Sequence, residues 1–316
     1  MELPDVAFGL SLWGQQTSWA DLLSAAKRVD SLGYDHLATW DHLLAATGDP
    51  NKPVFESYAT LAAWAAVTSR VRLGLLVGAN SFRNPAIVAK AISTIDHISG
   101  GRAMLGLGGA WHEREHDAYG IDFGASLGER LRWLDEALSV IRPLLDGVEV
   151  THAGPRYVTN RLQLNPPPVQ SHLPITVGGK GERKTLRSVA KYADIWNAVV
   201  SPDEAARKLT ILEGYCQDVG RESADITFDL NCKIVIRDSE AEAESVMREG
   251  LAFNEMTVAN WTERNFWVGT PDQIATKMRP YVGLGFRSFT CELLAPFDAE
   301  TMSRFISEVK PLVDQP

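Results

Sequence analysis

Thr39-Trp40-Asp41-His42 is the first stretch of this 316-residue chain in which residue types suited to chemistry stand together. Histidine exchanges a proton near neutral pH, and an adjacent aspartate can bind a donor or orient a ring. The alternative for Asp41 and His42 is an ordinary capped surface loop, and a position at the end of a buried strand puts the two readings level. A second group is Gly178-Gly179-Lys180-Gly181-Glu182-Arg183-Lys184-Thr185. Its glycines let successive backbone N–H groups converge, and a helix start adds partial positive charge, which suits a phosphate. Lys180, Arg183 and Lys184 add cations; a plain strand-to-helix turn with solvated charges is the alternative. In Gly106-Leu107-Gly108-Gly109-Ala110-Trp111 the glycines would either let a flat ring approach the backbone or make a tight turn. His112 and His116 have the spacing of a helical zinc site, with Glu113 and Glu115 between them. The glycine loop before them and the charges around them read instead as a solvated helix start, and no metal is expected. Trp13, Trp64, Trp133, Trp196, Trp261 and Trp267 read as core or pocket-lining rings.

These groups need a frame. The run Val71-Arg72-Leu73-Gly74-Leu75-Leu76-Val77 reads as a strand buried on both faces. Asn84 offers an N-cap and Pro85 the first helical position, where a missing N–H costs nothing. Ile87, Val88, Ala91, Ile92, Ile95 and Ile98 keep one helical face apolar, and Gly100 supplies the stop. A second buried strand then ends in the glycines at 106–109, which completes a βαβ unit. Strand patterns recur at 6–10, 35–40, 71–77, 103–107, 175–177, 195–199, 226–236 and 286–293. Helical patterns lie at 127–145, 183–192, 205–219, 241–252, 271–282 and 299–313, and a first helix opens with the capping-box spacing of Ser18 and Asp21 and closes at Gly33. Eight strand–helix units spell a (β/α)8 TIM barrel with insertions, one domain over 1–316. Residues 146–173, with Pro166-Pro167-Pro168, form an excursion between strands 4 and 5. A doubly wound open sheet is the alternative, but no GxGxxG follows the first strand and no P-loop lysine motif occurs.

Composition narrows the partners. A net charge of −9 without a basic stripe argues against nucleic acid. Hydrophobic content of 45% and charged content of 22% argue against disorder and a membrane span. Cys216, Cys232 and Cys291 are few, scattered and odd in number, which suggests buried thiols in a reducing, cytoplasmic compartment, and no secretory signal is evident.

The same residues carry a resemblance. The run from Val71 to Trp111, with Asn84-Pro85 and Ser99-Gly100-Gly101-Arg102, resembles the bacterial luciferase-like flavin and deazaflavin oxidoreductases. Gly178-Gly179-Lys180-Gly181, then Thr185-Leu186-Arg187 and Tyr192-Ala193-Asp194-Ile195-Trp196-Asn197, is similar to the F420-dependent branch. The match runs to Gly269-Thr270-Pro271 and the last strand. It implies the TIM-barrel fold and an enzyme that moves a hydride between coenzyme F420 and a small organic substrate. Asp41 would contact the deazaflavin ring and His42 would lie beside its reactive carbon. Leu76, Val77, Gly78 and Ala79 would form a bulge behind the ring, with a non-proline cis bond between Leu76 and Val77, and Gly108 would adjoin it. Gly178, Gly179, Lys180, Gly181 and Thr185 would hold the phosphate. Trp13, Trp40, Trp111 and Trp196 would line the substrate pocket. An acidic residue follows the strand-4 glycines in the sugar-phosphate dehydrogenases of the family; Trp111 stands there in this chain, which implies an apolar or aromatic substrate. Two further readings stay open: an FMN-dependent monooxygenase using oxygen, and a non-catalytic flavin-binding barrel. A homodimer is compatible with each.

Overall fold

Each apolar run becomes a parallel strand in the computed structural model, which describes residues 6–259 and 265–313. The strands are β1 (Ala7–Leu12), β2 (His36–Thr39), β3 (Arg72–Leu75), β4 (Leu105–Gly108), β5 (Ile175–Gly178), β6 (Ile195–Ala198), β7 (Thr227–Ile236) and β8 (Ser288–Leu293). They pair in the order β3-β2-β1-β8-β7-β6-β5-β4. β3 and β4 are joined by a bridge between Leu73 and Ala103, and a two-residue strand, Gly78–Ala79, pairs with β4, so the barrel is nearly closed. This is the expected α/β architecture.

The helices that hold the barrel in register form where local signals direct them. α1 (Trp19–Leu32) starts where Ser18 accepts from the Asp21 amide and ends at Gly33 with φ 86°. The following helix, α2 (Ser57–Val67), has no counterpart in the sequence reading. Eight of its eleven residues are Ala, Leu, Trp or Val, so no polar face marks a 3.6-residue period. α3 (Pro85–Ser99) has Asn84 accepting from the Ala86 amide and Gly100 in the left-handed region, as its sequence dictates. α4 (Glu113–Tyr119) and α5 (Leu127–Leu145) lead away from β4. The excursion between β4 and β5 contains an antiparallel hairpin, Val150–Ala153 against Val158–Leu162. α6 (Thr185–Tyr192), α7 (Pro202–Asp218) and α8 (Glu240–Phe253) follow β5, β6 and β7. A short extra strand, Phe266–Gly269, adds to the outer part of β7.

One continuous apolar core runs between barrel and helices, with Trp64, Trp133 and Trp267 buried; Trp261 lies outside the described residues. Cys216, Cys232 and Cys291 are all buried free thiols. Among the described residues no helix is long and apolar enough to cross a membrane.

Candidate active site

The carboxyl ends of the strands open into a cavity of about 690 Å³, a size that a fused ring system and a small substrate can share. β2 ends at Thr39, whose hydroxyl donates to the Leu12 carbonyl at 2.8 Å and ties two strand ends together. The chain then presents Trp40, Asp41 and His42 to the cavity. Asp41 is 3% exposed. Its Oδ2 accepts from the Ala79 amide at 2.9 Å and from Arg83 Nη1 at 2.7 Å, while Oδ1 accepts from Ser57 Oγ at 2.9 Å and Arg83 Nη2 at 3.1 Å. Both carboxylate oxygens are therefore committed to the protein. Arg83 also pairs with Glu56 at 2.6 Å and lies over the Tyr58 ring. Burial weakens the charge on Arg83, but the Asp41 carboxylate more than offsets it, so the guanidinium is held above its ordinary pKa.

His42 is bound on one side only. Its Nδ1 lies 2.9 Å from Glu115 Oε1, and Glu115 Oε2 accepts from the Leu43 amide at 2.9 Å. Burial raises the Glu115 pKa, but the His42 hydrogen bond and charge and the Leu43 and Leu44 amides outweigh it, so the carboxyl sits below its ordinary value. An ionised carboxylate can only accept, so Nδ1 carries the proton and Nε2 is the atom left to take or give one. The rings of Trp40, Trp111 and His112 stand around His42 at 4.7, 5.3 and 5.8 Å.

Ligand atoms of His42, His112 and Glu115 lie within 4.8 Å of one another, close enough for a cation to bridge. Such a cation would have to displace the His42 N–H and backbone amides from Glu115, so the arrangement suits proton handling better than metal binding.

The floor is the bulge at 76–79. The peptide between Leu76 and Val77 is cis, as the resemblance implies. The neighbouring glycines turn out to serve the chain itself. A Cβ on Gly106 would fall 1.8 Å from the Leu75 carbonyl oxygen, and one on Gly108 or Gly178 would fall 2.7 Å from a Val77 methyl. Neither reading of the glycines at 106–109 anticipates this: at Gly106 and Gly108 they make room for the bulge.

On the far side, the loop after β5 carries Gly178, Gly179 with φ 125°, Lys180 and Gly181, and α6 starts at the buried Thr185. Lys208, 4% exposed, donates to the Lys180 carbonyl at 2.9 Å and to Glu182 at 3.0 Å, which pins the loop from beneath. The Lys180 ammonium is largely exposed and 3.6 Å from Glu204, and Lys184 donates to the Gly128 carbonyl at 2.6 Å.

The model of the luciferase-like monooxygenase family matches residues 6–288. The chain belongs to that family. The luciferase-like chain is 30% identical to protein Rv0953c of Mycobacterium tuberculosis over 195 residues, 60% of this chain and 68% of the relative. An F420-dependent secondary alcohol dehydrogenase solved with an F420–acetone adduct superposes with TM-score 0.84 at 18% identity, covering 98% of this chain and 99% of that one. Monooxygenase RslO1 from Streptomyces bottropensis superposes with TM-score 0.80 at 22% identity, covering 96% and 99%. Both share the barrel fold, and the family makes this chain an oxidoreductase.

Of the residues the sequence singles out, the luciferase-like cavity brings together Trp13, Trp40, Asp41, His42, Leu76, Val77, Gly78, Ala79, Gly108, Trp111, Gly178, Gly179, Lys180, Gly181 and Thr185. Trp196 lies outside it, as do Arg183 and Lys184. It is wholly buried against Phe228 and Phe286, does not line the cavity, and donates from Nε1 to the Gly179 carbonyl at 2.8 Å. Its position on β6 places it outward, behind the glycine loop rather than in the pocket. The reading of 112–116 as solvated holds for the exposed Glu113 and Arg114 but fails for Glu115 and His116, which are 1% and 0% exposed. His116 donates from Nδ1 to the His112 carbonyl and takes the Ser81 hydroxyl at Nε2. Sequence reasoning missed Glu115 and Arg83 as partners of the Asp41-His42 pair.

Glu115→Gln tests the His42 clamp. A carboxyl held below its ordinary pKa contributes stability above that ordinary value, and the contribution fades as pH falls through the lowered one. Thermal melts should therefore show the native protein ahead of the variant at neutral pH and the two converging in acid, below the ordinary glutamate range. Parallel curves at all pH values would place the lowered carboxyl elsewhere.

Proposed function

We propose that this protein is an F420-dependent oxidoreductase that moves a hydride between the deazaflavin and a small, predominantly apolar organic substrate. The observation that carries this is His42: a buried imidazole whose Nδ1 is held by Glu115 and whose Nε2 is left for a substrate, on the rim beside the bulge. When bound, the deazaflavin supplies or accepts the hydride. Reducing a carbonyl to an alcohol also consumes one proton, and oxidation releases one; His42 Nε2 gives or takes it at the substrate oxygen. Glu115 holds the ring in the tautomer that allows this and stabilises it when it is protonated. Asp41 acts through the backbone, since its carboxylate fixes Ala79 and thereby the bulge that backs the ring. The loop at 178–185 takes the phosphate, with Gly179 and Gly181 giving backbone access and the start of α6 giving partial positive charge. The alcohol dehydrogenase solved with an F420–acetone adduct supports this use of the fold.

Parallel titration of the purified protein with F420 and FMN tests the reading. Binding of F420, and anaerobic oxidation of reduced F420 by carbonyl compounds, is the expected result. Activity only with reduced FMN and oxygen would make it a monooxygenase, the activity named for RslO1. Lys180→Ala should weaken cofactor binding only a few-fold, and less at high salt, because an exposed charge already near Glu204 is screened. A loss that salt does not reduce would make Lys180 a direct, desolvated ligand.

A further inference from the structure

We propose that the substrate is recognised through a neutral hydrogen-bond donor, a hydroxyl or an amide N–H, placed against Asn231, with its apolar body along Trp13 and Trp40. The inference rests on the reading above, in which the opposite side of the cavity holds the cofactor. In the strand order, His42, the bulge and the glycine loop follow β2, β3 and β5, whereas Trp13, Glu292, and Asn231 with Lys233 sit on or after β1, β8 and β7. These are two opposed arcs of one rim, and the second carries polar groups that the hydride chemistry does not use.

Asn231 is 7% exposed and donates from Nδ2 to Glu292 Oε1 at 2.6 Å. Lys233, 1% exposed, lies 2.7 Å from Glu292 Oε2. The carboxylate only accepts, so the amide nitrogen must face it and Asn231 Oδ1 must turn away. That oxygen is buried and has no hydrogen-bond partner among the described residues. A buried acceptor left open in a ligand cavity is where a donor from a ligand is missing. The indole N–H of Trp40 is likewise buried without a partner, which suits a group that both donates and accepts. Charge decides between candidate groups. Lys233 and Glu292 face the site as an ion pair at 2.7 Å, so a carboxylate or phosphate would be desolvated against Glu292 and an ammonium against Lys233. Only a neutral group avoids both. Trp13 and Trp40 stack with ring centroids 3.8 Å apart and offer a flat wall for the remainder.

Four naphthalene probes separate these terms: naphthol, its methyl ether, naphthoate and naphthylmethylamine. Dissociation constants are measured by ligand-observed NMR on the protein alone and on the protein saturated with whichever cofactor binds. Naphthol should bind about tenfold or more tighter than its methyl ether, which cannot donate, and tighter than either charged probe. Asn231→Leu should bring the naphthol-to-ether ratio close to one without moving the ether. Equal binding of naphthol and ether to the native protein, tighter binding of the anion or the amine, an unchanged ratio in the variant, or no binding of any probe would each overturn the proposal. If Asn231→Leu does not fold, the order of the four probes on the native protein still decides. Cofactor binding is read separately: failure to take F420 or FMN sinks the oxidoreductase reading, whereas a flat naphthol-to-ether ratio sinks this one alone.

Discussion

Replacing His42 with alanine should slow turnover with reduced F420 by about 10²–10⁴-fold while leaving cofactor affinity nearly unchanged. The size follows from what is removed: a general acid whose Nδ1 proton is already held by Glu115, so that Nε2 meets the substrate oxygen without reorganisation. The selectivity follows from what is kept. The bulge is held by Asp41, Ser57 and Arg83, and the glycine loop by Lys208 and Trp196, through side-chain hydrogen bonds that do not involve the His42 ring. His42→Gln is the sharper comparison, because an amide can still donate to Glu115 but cannot exchange a proton. It should be as slow as the alanine variant. Anaerobic stopped-flow measurement of reduced F420 oxidation, beside an equilibrium titration, reads both quantities. A variant that turned over at the native rate would leave His42 a lining residue and transfer the proton to another group.

The barrel was readable because each strand announces itself locally. Parallel strands covered on both faces are continuous apolar runs, and serine, asparagine, proline and glycines mark where α1 and α3 begin and end. Where an element lacks such contrast it disappears from view: α2 is apolar all round and shows no period. The site divides in the same way. Asp41, His42 and the loop at 178–185 stand at strand ends and could be named from position. Glu115 is 73 residues from His42 along the chain, on a short helix whose composition resembles a solvated surface, so nothing nearby discloses that it faces inward. Arg83 is 42 residues from Asp41 and equally silent. Trp196 shows the converse: the resemblance put it in the pocket, but strand alternation turned its ring into the core, the other reading its residue type allowed.

The glycines around the bulge are legible as glycines and misleading as to purpose, and their substitutions should separate two causes. A methyl on Gly106 meets the Leu75 carbonyl, which is backbone of the neighbouring strand and has nowhere to go. A methyl on Gly178 meets the Val77 side chain first, its methyls at 2.7 and 2.9 Å and its Cβ at 3.4 Å. Gly106→Ala should therefore cost about 3 kcal/mol or more and abolish cofactor binding, while Gly178→Ala should cost about 1–3 kcal/mol. Shortening Val77 to alanine provides the discrimination. In the Val77→Ala background the Gly178→Ala cost should largely vanish, a coupling of about 0.5–3 kcal/mol, whereas the Gly106→Ala cost should persist almost whole. Denaturant melts of the two double-mutant cycles give the stabilities, and F420 titration shows whether the relieved bulge still accepts the ring. If Val77→Ala rescued Gly106→Ala as well as it rescued Gly178→Ala, the Leu75 carbonyl would not be the limiting contact, and Gly106 too would be glycine for the sake of the Val77 side chain.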